Sequence, residues 1–230
     1  MNTISSLLKG NPYPGRGILV GTIRERAVIA YFLMGRSENS RNRVFREEGD
    51  TLRIDLCDDG KATSTKLILY TPVRVCNGSI IVTNGDQTET ICESLLGGHS
   101  FQYALSTRGY EPDAPNYTPR ISAMVLPTGR YTIGMLRKSS RSVDCVRKYW
   151  SYDAQEGIGR LIHTYESDGD PLPTFVGEPR ELALSGEPEE LASELWSALD
   201  ADNRISLYVR YTDLANGRFE SAMRNKQFGD

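Results

Sequence analysis

Ile18-Leu-Val-Gly-Thr-Ile23, then Arg24-Glu-Arg26, then Ala27-Val-Ile-Ala-Tyr-Phe-Leu-Met34: an apolar run, a short polar break and a second apolar run. Hairpins use breaks of this length, so the two runs are expected to pair as antiparallel strands near the N-terminus. The pattern recurs downstream. Lys66-Leu-Ile-Leu-Tyr-Thr71 runs into Pro72-Val-Arg-Val75, and Asn77-Gly78, the strongest short hairpin signal in the chain, turns it back into Ile80-Ile-Val82. Thr128-Gly129 joins Ile121–Leu126 to Tyr131–Leu136 in the same way, and Ile205-Ser-Leu-Tyr-Val-Arg-Tyr211 alternates as a strand does.

Helical signals are fewer. Asp86 or Thr88 is placed to cap a segment through Glu89–Leu96 that stops at Gly97-Gly98. Near the C-terminus, Pro188 suits a first turn and Glu187, Glu189 and Glu190 suit the positive end of a helix dipole. Leu191, Leu195, Trp196 and Leu199 share one face of that helix. Many antiparallel strands with a few helices define an α+β fold class, and no repeat or linker divides residues 1–230, which are read as one domain. Ser167-Asp-Gly-Asp-Pro-Leu-Pro173 reads as a surface loop.

A chain of 230 residues can build a core without staples. A formal net charge of -3 argues against a general nucleic-acid binder, so any anion site must be local. Cys57, Cys76, Cys92 and Cys145 form no C-x-x-C pair, and His99 and His163 add no metal-ligand spacing, so neither a zinc site nor a disulfide framework is expected. Residues 1–9 lack a basic stretch followed by a long apolar segment, and no run reaches membrane-spanning length. The expectation is a cytoplasmic protein with reduced thiols and no membrane partner. Large sheets with exposed edges often assemble, which makes a homo-oligomer plausible.

Polar blocks sit at the ends of the strands. Gly35-Arg-Ser-Glu-Asn-Ser-Arg-Asn-Arg43 follows the first hairpin directly, and its guanidinium groups and hydroxyls suit an anion, since arginine pairs with phosphate oxygens in bidentate fashion. An arginine-rich turn that only decorates the surface is the competing reading of this segment taken alone. Thr83-Asn-Gly-Asp-Gln-Thr88 follows Ser79–Val82, and Glu111-Pro-Asp-Ala-Pro-Asn-Tyr-Thr-Pro-Arg120 precedes Ile121–Leu126.

Together with Tyr13-Pro-Gly-Arg16, these blocks resemble, in order and spacing, the archaeal-type IMP cyclohydrolase family over roughly the first 140 residues. The resemblance implies a four-layer αββα sandwich of antiparallel sheets, like that of N-terminal-nucleophile hydrolases. Within Met1–Gly17, ahead of the first hairpin, no Cys, Ser or Thr is placed to become a processed terminal nucleophile, so autoprocessing is not expected. It implies the cyclohydrolase reaction, dehydrative closure of 5-formamidoimidazole-4-carboxamide ribonucleotide to IMP, with no metal and no cofactor. It also implies a nucleotide as the small-molecule partner. Both reacting groups sit on one imidazole, so the enzyme must select the facing rotamer and stabilise developing charge.

On the same resemblance, Arg36, Ser37, Ser40, Arg41 and Arg43, with Arg16, are expected to hold the 5'-phosphate, while Asn42 is expected to contact substrate or point inwards. Asn84, Gly85, Asp86 and Thr88 are assigned to the ribose or carboxamide, with a hairpin or helix cap as the structural alternative for Asp86 and Thr88. Arg120 and Tyr117 are candidate oxyanion donors, and Glu111 and Asp113 candidate proton carriers, with Tyr110 as a neighbouring donor. Salt bridges to Arg108 or Arg120 are the alternative for the two carboxylates. His99 reads as a capping or packing residue, Trp150 and Trp196 as core or interface anchors, and Tyr13, Tyr31 and Tyr103 as core or stacking aromatics. Two further functions remain open: a nucleotide-binding protein without turnover, and an interaction module whose arginine loop meets an acidic partner.

Overall fold

The computed structural model describes residues 1–58, 60 and 67–229. The opening hairpin is β1 (Arg16–Ile23) and β2 (Arg26–Met34), antiparallel with Ile23 facing Arg26. Its two-residue turn holds Arg24 at φ 47° and Glu25 at φ 58°, the left-handed region such turns require and glycine or asparagine usually supplies. Contacts made by Arg24 offset that strain: its backbone N–H donates to the Glu156 carboxylate at 2.8 Å, and its guanidinium meets Glu187 at 2.7 Å.

Apolar residues run continuously through β2 because both of its faces are covered. Val28, Ala30, Phe32 and Met34 enter a core on one face, and Ala27, Ile29, Tyr31 and Leu33 enter a second core on the other. Strands β3 (Arg43–Glu48), β4 (Thr51–Leu56), β5 (Val73–Cys76), β6 (Ser79–Thr83), β7 (Arg120–Val125), β8 (Tyr131–Lys138) and β9 (Cys145–Tyr152) make a seven-stranded sheet in chain order. β1 and β2 join β10 (Ile158–His163), β11 (Arg180–Ala183), β12 (Arg204–Asp213) and β13 (Phe219–Asn225) in a six-stranded sheet, order β11-β10-β1-β2-β12-β13. Every pairing between these strands is antiparallel.

Helix α1 (Ile4–Leu8) belongs to the outer core of the six-stranded sheet, and the single-turn α2 (Glu38–Arg41) links β2 to β3. α3 (Gln87–Leu96) and α4 (Phe101–Ser106) place Ile91, Cys92, Phe101 and Leu105 against Ile81 and Leu136 of the seven-stranded sheet. α5 (Pro188–Ala198) sets Leu191, Leu195 and Trp196 in the same core as α1, and Glu187 and Glu190 close its capping box. The fold is therefore mixed, strand-rich, and built on two antiparallel sheets. Among the described residues no helix is long and apolar enough to cross a membrane.

Several expectations are corrected. The strand predicted for Lys66–Thr71 begins outside the described residues, and 67–71 are turn and coil. There the Tyr70 hydroxyl meets that of Tyr31, and the backbone is tied to the sheet by Ile54 N donating to Tyr70 O at 3.2 Å. Asp86 takes the N-cap position of α3 without a side-chain capping bond. Cys76, ending β5, and Cys92, on α3, form a disulfide with their Cα atoms 5.5 Å apart. That pairing across 16 residues arises because α3 folds back over the sheet that β5 belongs to, a juxtaposition invisible in cysteine spacing. Cys57 and Cys145 are free.

Candidate functional site

β1 starts where β2 finishes, and at that end of the two sheets a cavity of about 300 Å³ opens. Its size falls at the lower end of small-molecule pockets. Arg16, Arg36, Ser37, Ser40, Arg43 and Tyr13 line it with Asp113, Asn116, Thr118 and Tyr165. Strand starts bring the charged groups here: Arg16 opens β1 and Arg43 opens β3, and both line the cavity.

The loop after β2 explains the serines. Ser37 and Ser40 form a capping box around α2, each hydroxyl accepting from the other's backbone N–H, at 3.2 and 3.1 Å. Gly35 precedes them because a Cβ there would stand 2.5 Å from Ser40 Oγ and 2.6 Å from Ile205 Cδ1. The box turns Arg43 inward, where Nε donates to Ser40 O at 2.7 Å and Nη1 has no partner. It turns Arg41 outward, to Gly35 O at 3.1 Å and Asn203 Oδ1 at 3.2 Å, off the cavity. Asn42 is buried, but it staples the start of β3 to Asp58: its amide donates to Asp58 O at 2.6 Å and its oxygen accepts from Asp58 N at 2.9 Å.

Arg16, partly exposed, and Arg43, fully buried, are like charges lining one cavity, with Glu111 as the counter-charge to Arg16. Arg16 Nε has no partner, and its Nη2 lies 3.9 Å from Glu111 Oε2. Burial lowers the Arg43 guanidinium from its ordinary value, and the neighbouring Arg16 pushes the same way, against Tyr70. Glu111 is 2 % exposed, and its Oε1 accepts no hydrogen bond. Burial pushes its carboxyl up, and the pull of Arg16, Arg120 and Arg43 does not cancel that. Near Arg16 and Arg43 the Tyr31 and Tyr70 hydroxyls are 2.6 Å apart, both held protonated above the ordinary phenol range chiefly by burial.

Other expected site residues have structural partners. Asp113 lines the cavity but spends both oxygens on Thr118, on its backbone N–H at 2.7 Å and on its hydroxyl. That hydroxyl also meets the Tyr165 hydroxyl. Arg120 Nη1 is engaged by Asp86 at 2.6 Å and Gln87 at 2.7 Å. Burial would raise the Asp86 carboxyl, but hydrogen bonds and charge from Arg108 and Arg120 hold it below the usual range. Asn84 bridges β6 and β7, donating to Pro119 O at 2.8 Å and accepting from Ile121 N at 2.8 Å. Gly85 permits the approach of Arg120, whose Nη1 would stand 2.5 Å from a Cβ there. Thr88 donates to Thr71 O at 2.6 Å. Tyr117 packs edge-on to Tyr110 under Lys138, and the Tyr110 hydroxyl donates to Val143 O, so neither reaches the cavity.

Sequence reading missed Asn116, Thr118, Tyr70, Tyr165 and Leu172. The first two lie within the Glu111–Arg120 block, Tyr70 falls in a stretch that reads as a strand and Leu172 in one that reads as a surface loop, Tyr165 stands in no quoted stretch, and only folding brings the last three to Arg16, Arg43 and their cavity. Among the described residues no group of three His, Cys, Asp or Glu side chains is placed to hold a metal. What the cavity offers is a concentration of unspent cationic donors beside one desolvated carboxyl, which suits an anionic ligand and proton transfer.

A family model described as IMP cyclohydrolase-like protein matches residues 13–217. The chain is 30% identical over 156 residues to an IMP cyclohydrolase of Halobacterium salinarum, covering 64% of this chain and 77% of that one. It is 31% identical over 205 residues to that of Methanocaldococcus jannaschii, covering 87% and 94%. With the Thermococcus kodakarensis relative it shares 28% identity over 80% of this chain and 84% of the other.

Proposed function

The chain belongs to the IMP cyclohydrolase-like protein family, and from that premise we propose that it is a cyclohydrolase of purine biosynthesis, closing 5-formamidoimidazole-4-carboxamide ribonucleotide to IMP. One observation carries the reading: Arg16, Arg36 and Arg43 converge on one cavity, Arg16 Nε and Arg43 Nη1 have no partner, and Arg16 lies 3.9 Å from the buried carboxyl of Glu111. A monophosphate dianion supplies the counter-charge this cluster lacks, and Ser37 and Ser40 add hydroxyls at its edge.

In the reaction the carboxamide nitrogen attacks the formyl carbon, one N–C bond forms, and the carbonyl electron pair moves to oxygen. That oxygen takes one proton from the attacking nitrogen. It leaves as water with a second from the former formamide nitrogen, as the ring C=N bond forms. Glu111 is the proton carrier we favour over Asp113, because its Oε1 is free of hydrogen bonds while both Asp113 oxygens are committed to Thr118. The Tyr70 hydroxyl, rather than Arg120 and Tyr117, is the donor we assign to the developing oxyanion.

The finer architecture we infer is the αββα sandwich of N-terminal-nucleophile-hydrolase-like folds, supported by the three apolar layers and by helices on the outer face of each sheet. Residues 1–230 act as one unit in this reading, since the six-stranded sheet takes strands from both ends of the chain. The test is direct. Purified protein mixed with the formamido ribonucleotide should generate the ultraviolet spectrum of IMP, and saturable binding without that change would mean a nucleotide-binding protein instead.

A further inference from the structure

The excursion 166–173 has no part in the chemistry above, yet it closes one wall of the cavity. Its neck is pinned by the Tyr165–Thr174 bridge and by Glu166 N donating to Pro173 O at 2.8 Å. Its tip reaches across to the arginine side. Arg36 Nη1 donates to Asp168 Oδ1 at 2.5 Å and to Gly169 O at 2.9 Å, while its guanidinium lies 5.1 Å from the centre of the Tyr13 ring. At the far end Leu172, which lines the cavity, donates its backbone N–H to Asn116 Oδ1 at 3.0 Å.

Asp168 thus sits on a cavity-lining arginine in the manner of an oxyanion ligand. The pair is half-exposed, with side chains 37% and 45% accessible, and ion pairs so placed are weak. A phosphate dianion that also meets Arg16 and Arg43 has more charge to offer Arg36 than one carboxylate does. Resting on the proposed function, we propose that Asp168 is an internal counter-anion that substrate phosphate displaces from Arg36. It thereby sets the affinity of the site for phosphate and releases the tip of the excursion when the site fills. Asp168 is a specificity-setting residue that acts through Arg36; it does not touch the reacting atoms.

Calorimetry with inorganic phosphate, together with amide hydrogen exchange across 167–172, tests this on the full chain. Asp168→Asn keeps the shape and removes the competing charge, so it should bind phosphate about two- to fivefold tighter than native protein. Asp168→Glu should bind like native. Phosphate should raise exchange at Leu172 in native protein, and Asp168→Asn should show raised exchange at Leu172 before phosphate is added. Equal or weaker phosphate binding by Asp168→Asn, or exchange that phosphate leaves unchanged, overturns the inference even where native protein still forms IMP. Native protein that neither binds phosphate nor forms IMP overturns the proposed function and this inference with it.

Discussion

Each end of the space between the two sheets holds a cavity with deeply buried arginine. One, of about 300 Å³, contains Arg16 and Arg43; the other, of about 250 Å³, lies by the hairpin turns and contains Arg210 among Val75, Ile80, Val125 and Leu126. Arg210 is 2 % exposed, comparable to Arg43 at 1 %. Its nitrogens are spent, however: Nε on Thr212 Oγ1 at 3.0 Å, Nη1 on Asp50 O at 3.3 Å and Nη2 on Asp50 Oδ1 at 3.4 Å, with Phe219 stacked 3.7 Å away. Arg16 Nε and Arg43 Nη1 have no such partners. Between these two ends it is not burial of the guanidinium that differs but the donors left without partners, the condition an anionic ligand would relieve.

The largest effect expected at the arginine end is on rate. Glu111→Gln preserves shape and removes the titrating group, so kcat for IMP formation should fall by about 10²- to 10⁴-fold while the thermal midpoint holds. Full activity in this variant would move the proton carrier elsewhere.

His163 is also buried at this end, opposite Gly17 in the ladder, and serves packing. Its Nδ1 lies 2.8 Å from Tyr165 O, and burial, aided by Arg180, pushes it down to about 4 from 6.5. The unfolded chain takes up this proton before the folded one, so the contribution is fully present above pH 6.5 and is lost as pH falls towards 4. It amounts to about 3 kcal/mol from a shift of this size. Denaturant titrations of native protein and His163→Gln over that range should differ in slope, and parallel curves would show that the histidine does not titrate between the two states.

A matched pair of variants then tests the contrast itself. Arg43→Met should weaken phosphate or IMP binding by about 1.5–3 kcal/mol, roughly 10- to 150-fold in Kd, and leave stability equal or improved through relief of the Arg16 repulsion. Arg210→Met should do the reverse, with unchanged Kd and a stability loss of about 1–3 kcal/mol in chemical denaturation. If both variants lose binding, or both lose stability alike, unspent donors do not distinguish the two ends. The smallest effect belongs to Arg41→Ala, whose contacts lie off the cavity. Its ligand Kd should stay within about twofold of native and its stability within about 1 kcal/mol, and a larger loss of binding would return Arg41 to the phosphate grip.

Short-range physics made much of the fold legible. An unbroken apolar run marked β2, helical spacing marked α5, Asn77-Gly78 marked its hairpin with φ of 50° and 73°, and Glu187 with Pro188 marked a helix start. The polar block after β2 was legible as a place where donors gather. Which donors face the ligand was not. Arg36, Arg41 and Arg43 look equivalent in a list, yet the Ser37–Ser40 capping box rotates Arg41 out while β3 carries Arg43 in. Asn84 and Thr88 sit in a polar block but are consumed by Pro119, Ile121 and Thr71, partners whose nearness comes from sheet pairing.

What the sequence determined by itself was therefore the set of elements and the stock of chemically able residues, since turns, caps and alternation depend on neighbours within a few positions. What only the tertiary structure decided was which of those residues remain unpaired and buried together. Tyr70 beside Tyr31, Glu111 beside Arg16 and Cys76 beside Cys92 are all meetings across chain distances that local sterics do not encode. A side chain's chemistry is set by its desolvation and its partners, and both come from packing.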